Sequence, residues 1–237
     1  MKKTLLAVSD GNGVDTANFK KWPSLLQALA SASLKIKNKS VVGASNEMIL
    51  MQIAESIESE NIDYAVIQWT IPLRVDIVAD DFWNQQANID PVYHFNIVPS
   101  NNHNWWVTSD SNNPYIKEYH SKYIKEWQAT QRSQSYMLSA AAILQNKNIP
   151  FIFTLAYKFN FVGPLTSAVK NLPWLDQDLD SFRYTSAYID LDQGKAQPHS
   201  AIQLEWLNTI VKPNCDFIEY DPNRYKKIIN SIQGEKS

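Results

Sequence analysis

A chain of 237 residues with hydrophobic residues at 44% can bury a substantial core, and its length fits one domain better than two. A formal charge of -2 provides no broad positive field for phosphates, which argues against nucleic acid as a partner. No apolar run is long enough to span a bilayer, so no membrane partner is expected, and a lone cysteine, Cys215, excludes an internal disulfide and a cysteine-based zinc cage.

The opening MKKTLLAVSD reaches Asp10 without a small-residue cleavage site, so no signal peptide is expected. Leu5 to Val8 form an apolar run ending in Ser9-Asp10-Gly11-Asn12-Gly13, which predicts a buried first strand and a tight turn. Phe19, Trp22, Leu25, Leu26 and Leu29 recur at helical spacing, and Pro23 is tolerable only near a first turn, so a helix from about Trp22 follows. Leu34 to Val42 alternates as a strand does. Glu47 to Ile57 then carries Met48, Ile49, Ile53 and Ile57 at helical spacing after the capping candidates Ser45 and Asn46.

Tyr64 to Trp69 is a third predicted strand and Ile149 to Leu155 a fourth, entered through Pro150. Between them, about Val78 to Asn113 is rich in Asn, Asp, Ser and aromatics without a clear period, and Tyr115 to Ala142 reads as one or two helices. Tyr188 to Leu191 suggests a short strand, and Ile202, Trp206, Ile210 and Val211 a final helix. Strands that are apolar nearly throughout and alternate with helices predict an α/β fold whose mostly parallel sheet is covered on both faces. Ligands of such sheets bind at the carboxyl ends of the strands, which directs attention to the loops after Val8, Val42, Trp69 and Leu155.

Those loops carry a family pattern. Leu5 to Gly11 looks like a strand leading into Gly-Asp-Ser, and Trp22-Pro23-Ser24-Leu25-Leu26 matches the WPSLL that follows it in many phage-encoded members. Asn38 with Val41 to Asn46 is similar to a second block of the form Asn, then Gly-Ala-Ser-Asn. Val66 to Thr70, with Arg74 behind it, is similar to a third. In order and spacing these resemble the SGNH (GDSL) hydrolases. That resemblance implies a flavodoxin-like three-layer α/β/α sandwich, with an aromatic-rich insertion here at about 78–130.

The family's serine attacks an ester carbonyl, its His takes the proton, and a Gly and an Asn steady the oxyanion. Here Asp10 is kept but Gly11 stands at the nucleophile position, and Gly43 is the implied oxyanion donor. Thr70 stands where the Asn is expected. Aligned on Trp206, both family histidines fall on Gln197 and Gln203, and the family aspartate falls near Gly194. A glutamine cannot take a proton near neutral pH. A shifted register would instead use Ser9 or Ser45 as nucleophile, His199 as base and Asp192 as its orienting partner. Against it, Ser9 fits a turn brace, Ser45 a helix cap and His199 a helix start.

His94, His103 and His120 near Asp80, Asp81 and Asp110 match no ligand spacing, and Asp176, Asp178 and Asp180 lack the Gly and closing Glu of a calcium loop. No metal and no cofactor are expected, and the three aspartates read as a solvated acidic loop. Trp105 and Trp106, with Trp83 and Tyr93, suit a sugar-stacking platform, a protein interface or a small core beneath the loop. The leading expectation is a non-catalytic SGNH-like protein, a structural or binding component of a phage virion, made in a host cytoplasm and partnered by virion proteins. The alternative is a carbohydrate esterase or deacetylase with a relocated triad acting on acylated surface glycans.

Overall fold

A computed structural model describes residues 2–10, 13–15, 20–74, 76–79, 96–99, 104–107, 122–123, 125–186, 199–218 and 220–234. Its strands are β1 (Lys3–Val8), β2 (Leu34–Asn38), β3 (Tyr64–Trp69), β4 (Asp76–Ala79), β5 (Asn96–Pro99), β6 (Asn104–Val107) and β7 (Phe151–Leu155). The helices are α1 (Trp22–Leu29), α2 (Asn46–Ser59), α3 (Glu126–Asn146), α4 (Thr166–Lys170), α5 (Leu179–Arg183), α6 (Ser200–Trp206) and α7 (Pro222–Gly234).

β1 sits between β2 and β3, and β7 pairs with the far side of β3, every pairing being parallel. Because side chains alternate along a strand, β1 sends Leu5 and Ala7 to one face and Leu6 and Val8 to the other. Val66 and Ile152 join the first face, where Leu25 and Leu26 of α1, Leu179 of α5 and Ile202 and Leu204 of α6 close the core. Ala65, Ile67 and Phe153 join the second, closed by Met48 and Ile53 of α2, Met137 and Leu144 of α3 and Val169 of α4. The fold is therefore an α/β/α sandwich on a parallel sheet. From β1 the chain turns one way to β2 through α1 and later the other way to β3 through α2, on the opposite face. Right-handed crossovers require that switch, and it opens a crevice at the carboxyl ends of β1 and β3.

Local chemistry sets the element ends. α2 begins where Ser45 Oγ accepts from the Glu47 and Met48 amides at 3.1 and 3.3 Å, a cap of about 1 kcal/mol. α1 tolerates Pro23 because its first turn has no intrahelical N–H bond to lose. β2 ends at Asn38, short of the expected Val42. The Asn38 side chain accepts from the Ser40 amide at 3.0 Å and donates to the Gly13 carbonyl at 2.8 Å, while the Lys39 and Val41 amides still reach the Ala7 and Ser9 carbonyls at 2.9 and 3.1 Å. The outer edge of β7 is covered too, since the Phe153 amide donates to the Pro173 carbonyl and the Leu175 amide to the Phe153 carbonyl, each at 2.8 Å.

The last predicted helix divides into α6, a π-helical turn over Leu207–Val211 and a 3-10 turn over Lys212–Asn214. Pro213, with no N–H to donate, prevents a further α turn. In the insertion, where no period was expected, β4, β6 and β5 form an antiparallel sheet in that order. Its register sets Trp105 opposite Val78 and Val98, and Trp106 opposite Ile77 and Ile97. Four-residue strands that open on a polar residue and continue apolar are too short to declare a period of two. The expected strand at Tyr188 to Leu191 lies outside the described residues, as do Trp83 and Tyr93.

Cys215 is buried in the first core, and burial, with the Asp216 carboxylate adding to it, pushes its thiol up to about 12. Tyr220, whose hydroxyl donates to the Leu207 carbonyl at 3.1 Å, is driven upward by its own burial and then by Cys215. Both folded-state values are raised, so both groups favour the fold while protonated and withdraw that support as pH climbs through the thiol's ordinary 9.0 toward about 12. Iodoacetamide at pH 8.5 is expected to leave Cys215 unmodified in the folded protein and to alkylate it fully in urea, as read by intact mass.

Candidate active-site crevice

Asp10 directly follows β1 and is 1% exposed. Its Oδ2 accepts from Thr70 Oγ1 at 3.0 Å and forms a close ion pair with Arg74, whose guanidinium lies over the Tyr157 ring at 5.8 Å from the centroid. A carboxylate this deep needs charged and hydrogen-bonding partners, and two come from the turn after β3.

The buried carboxamide of Asn46 joins the third loop. Its Oδ1 accepts from the Thr70 amide at 2.9 Å, and its Nδ2 donates to the Thr70 carbonyl and to Ser133 Oγ, both at 3.0 Å. Asn46 thus reads both peptide groups of Thr70 as a neighbouring strand would. The loops after β1, β2 and β3 are tied together through Asp10, Asn46 and Thr70. Thr70, the expected substitute oxyanion donor, has its hydroxyl turned to Asp10 and its amide to Asn46. Gly43 lies buried in the loop after β2 at φ 76°, a left-handed conformation that favours glycine, and among the described residues no hydrogen bond uses its amide.

The shifted-register candidates have local partners. Ser9 Oγ, fully buried, donates to the Asp10 carbonyl at 3.0 Å and to Ser40 Oγ at 3.2 Å. A Cβ on Gly13 would meet Ser40 Oγ at 2.1 Å and Ser9 Oγ at 2.2 Å, so that glycine permits the serine pair. Ser45 caps α2. His199 is the N-cap of α6, and its Nδ1 accepts from the Ala201 amide at 3.2 Å. A neutral imidazole that accepts at Nδ1 carries its proton on Nε2. Gly11, Asp192 and Gln197 lie outside the described residues.

Gln203 is fully buried, and its Oε1 accepts from the Trp22 amide, the first N–H of α1, at 2.8 Å. The Trp22 indole in turn donates to Gln68 Oε1 at 3.2 Å and meets the Trp206 ring edge-on at 6.4 Å. The residue aligned with a family histidine thus joins α6 to α1 and, through Trp22, to β3. Gln68 and Ser133 carry no local signal because their partners, Trp22 and Asn46, lie 46 and 87 positions away. Nothing local in the sequence pairs Arg74 with Asp10, 64 positions away.

Elsewhere, Asp178 is a helix cap rather than part of a solvated loop, its carboxylate accepting from the Ser181 amide and hydroxyl at 2.8 and 2.7 Å. His94, His103 and His120 are outside the described residues, among which no group of His, Cys, Asp or Glu has a metal-holding arrangement. Among the described residues no helix is long and apolar enough to cross a membrane.

Replacing Gln203 with Ala leaves the Trp22 amide without its acceptor and opens a void between α6 and α1. Urea unfolding is expected to register a loss of about 2–4 kcal/mol, whereas Gln203→Glu, which keeps the acceptor, costs less at pH 5 than at pH 8.

No protein-family model matches the chain, and no curated protein matches it. Among solved structures it is similar to the crystal structure of TesA, with a TM-score of 0.45 and 17% identity over 90% of this chain and 98% of that one. No residue role is taken from so loose a likeness.

Proposed function

We propose that the chain is a non-catalytic protein of SGNH-like type that acts by binding, as a structural or binding component of a phage particle. The observation that carries this reading is the His199 cap. With Nδ1 accepting from the Ala201 amide, the ring proton sits on Nε2. A triad base needs the opposite arrangement, Nδ1–H held by a carboxylate and a bare Nε2 turned to the nucleophile. Activation of a serine by this histidine would require the cap to break and the ring to change tautomer.

Three further features point the same way. Gly11 offers no hydroxyl at the family's nucleophile position. Ser9 Oγ is directed at Asp10 and Ser40, and Gln203 holds α1 and α6 together. What remains is the framework: Asp10, Gly43 and Asn46 in a crevice braced by Arg74. The phage assignment rests on the WPSLL and third-block patterns, and the virion proteins it implies as partners would meet the insertion, whose central strand bears Trp105 and Trp106.

The wild-type protein, Ser9→Ala and His199→Ala are compared on p-nitrophenyl acetate and on acetylated glycans at pH 8. All three are expected to match the buffer blank. Wild-type turnover that disappears in Ser9→Ala or His199→Ala would overturn the reading in favour of a glycan esterase with a relocated triad.

A further inference from the structure

We propose that the depression beside the crevice, between the start of α2, the turn after β3 and the second turn of α3, binds a small oxyanion, a carboxylate or phosphate group held between Arg74 and Arg132. This goes beyond the binding role above and does not depend on it, because none of the groups invoked belongs to the serine or histidine positions.

Arg74, Arg132, Ser133, Asn46, Glu47 and Tyr136 all line this depression, whose enclosed part has room for little more than a water and which otherwise opens to solvent. Arg132 is half-buried on α3, and among the described residues it makes no ion pair or hydrogen bond. Arg74 uses one terminal nitrogen on Asp10, while its Nε is buried and has no partner among the described residues. A guanidinium offers its donors as a planar fork, and a carboxylate or phosphate is the group whose geometry accepts two of them at once. Two guanidiniums on one small depression, one without an ion pair and the other with a buried N–H unmet among the described residues, form a site for an acceptor that the described residues do not provide.

The neighbours are arranged to admit an anion. Ser133 Oγ accepts from Asn46, which leaves its own proton to donate. Glu47, the acidic residue of the lining, has Oε2 held by the Tyr136 hydroxyl at 3.0 Å. The first amides of α2 are not needed, since Ser45 already accepts from two of them. Arg132 and Tyr136 stand four positions apart on α3 and so share one face of the helix.

The test uses the full chain at constant ionic strength, titrated separately with sodium phosphate, acetate and glucuronate and followed through its arginine Nε–Hε signals in ¹⁵N spectra. The expected result is a saturable shift of two arginine signals by at least one of these anions, with a dissociation constant in the millimolar range. Arg132→Gln, which also identifies one signal, is expected to weaken binding about 10-fold or more. Arg132→Lys falls between, and Glu47→Gln tightens binding by removing the competing charge. Arg183→Gln, on α5, leaves it unchanged. Saturation by phosphate alone assigns the site to phosphate, and saturation by acetate and glucuronate assigns it to carboxylates. Shifts that grow linearly for all three anions, or an Arg132→Gln protein that binds as the wild type does, would overturn the proposal.

Discussion

The carboxamide of Asn46 takes the Thr70 N–H and returns an N–H to the Thr70 carbonyl, at 2.9 and 3.0 Å, with both bonds buried. Most of the crevice depends on that exchange. It fixes the first turn of α2 against the end of β3, and so fixes where the Thr70 hydroxyl points and how the turn bearing Arg74 leaves the sheet. Asp10 can remain a buried acid only because those two groups arrive in the right place. The same carboxamide reaches Ser133 and so draws α3 to the crevice wall.

Around this centre the polar groups of the crevice are engaged with one another. Gly43 holds its left-handed conformation and Asp10 its place after β1. At the reactive positions the polar groups face inward. Ser9 is closed against Ser40, His199 caps a helix, and Gln203 supplies the acceptor that the first amide of α1 lacks. Such buried hydrogen bonds stabilise the loops while using the lone pairs and protons that acyl transfer would need. The cations beside the crevice keep donors unused among the described residues, and on these we rest the proposal that the depression recognises an anion.

Much of the framework was legible in the residues. The ends of Tyr64–Trp69 are legible because four consecutive apolar or aromatic positions, then Gln68 and Trp69, between polar turns permit little else. The Ser45 cap was legible because its partners, Glu47 and Met48, are two and three positions away. The antiparallel sheet of the insertion was not, since its pairs, such as Val78 with Trp105, depend on contacts across long loops. Nor was the Gln203 acceptor, which serves an amide 181 positions distant.

By itself the sequence determined the alternation of buried strands with amphipathic helices, and hence a parallel sheet with two cores. It also determined the absence of a hydroxyl at position 11 and of imidazole at positions 197 and 203. Those properties reside in side-chain type and local spacing, which no tertiary contact can alter. The tertiary structure alone decided what the remaining polar groups do: Arg74 meets Asp10, Asn46 clasps Thr70, and Arg132 comes to the same depression as Arg74. Hydrogen bonds and ion pairs act over a few ångströms, and only the folded sheet brings residues that far apart in the chain within that reach.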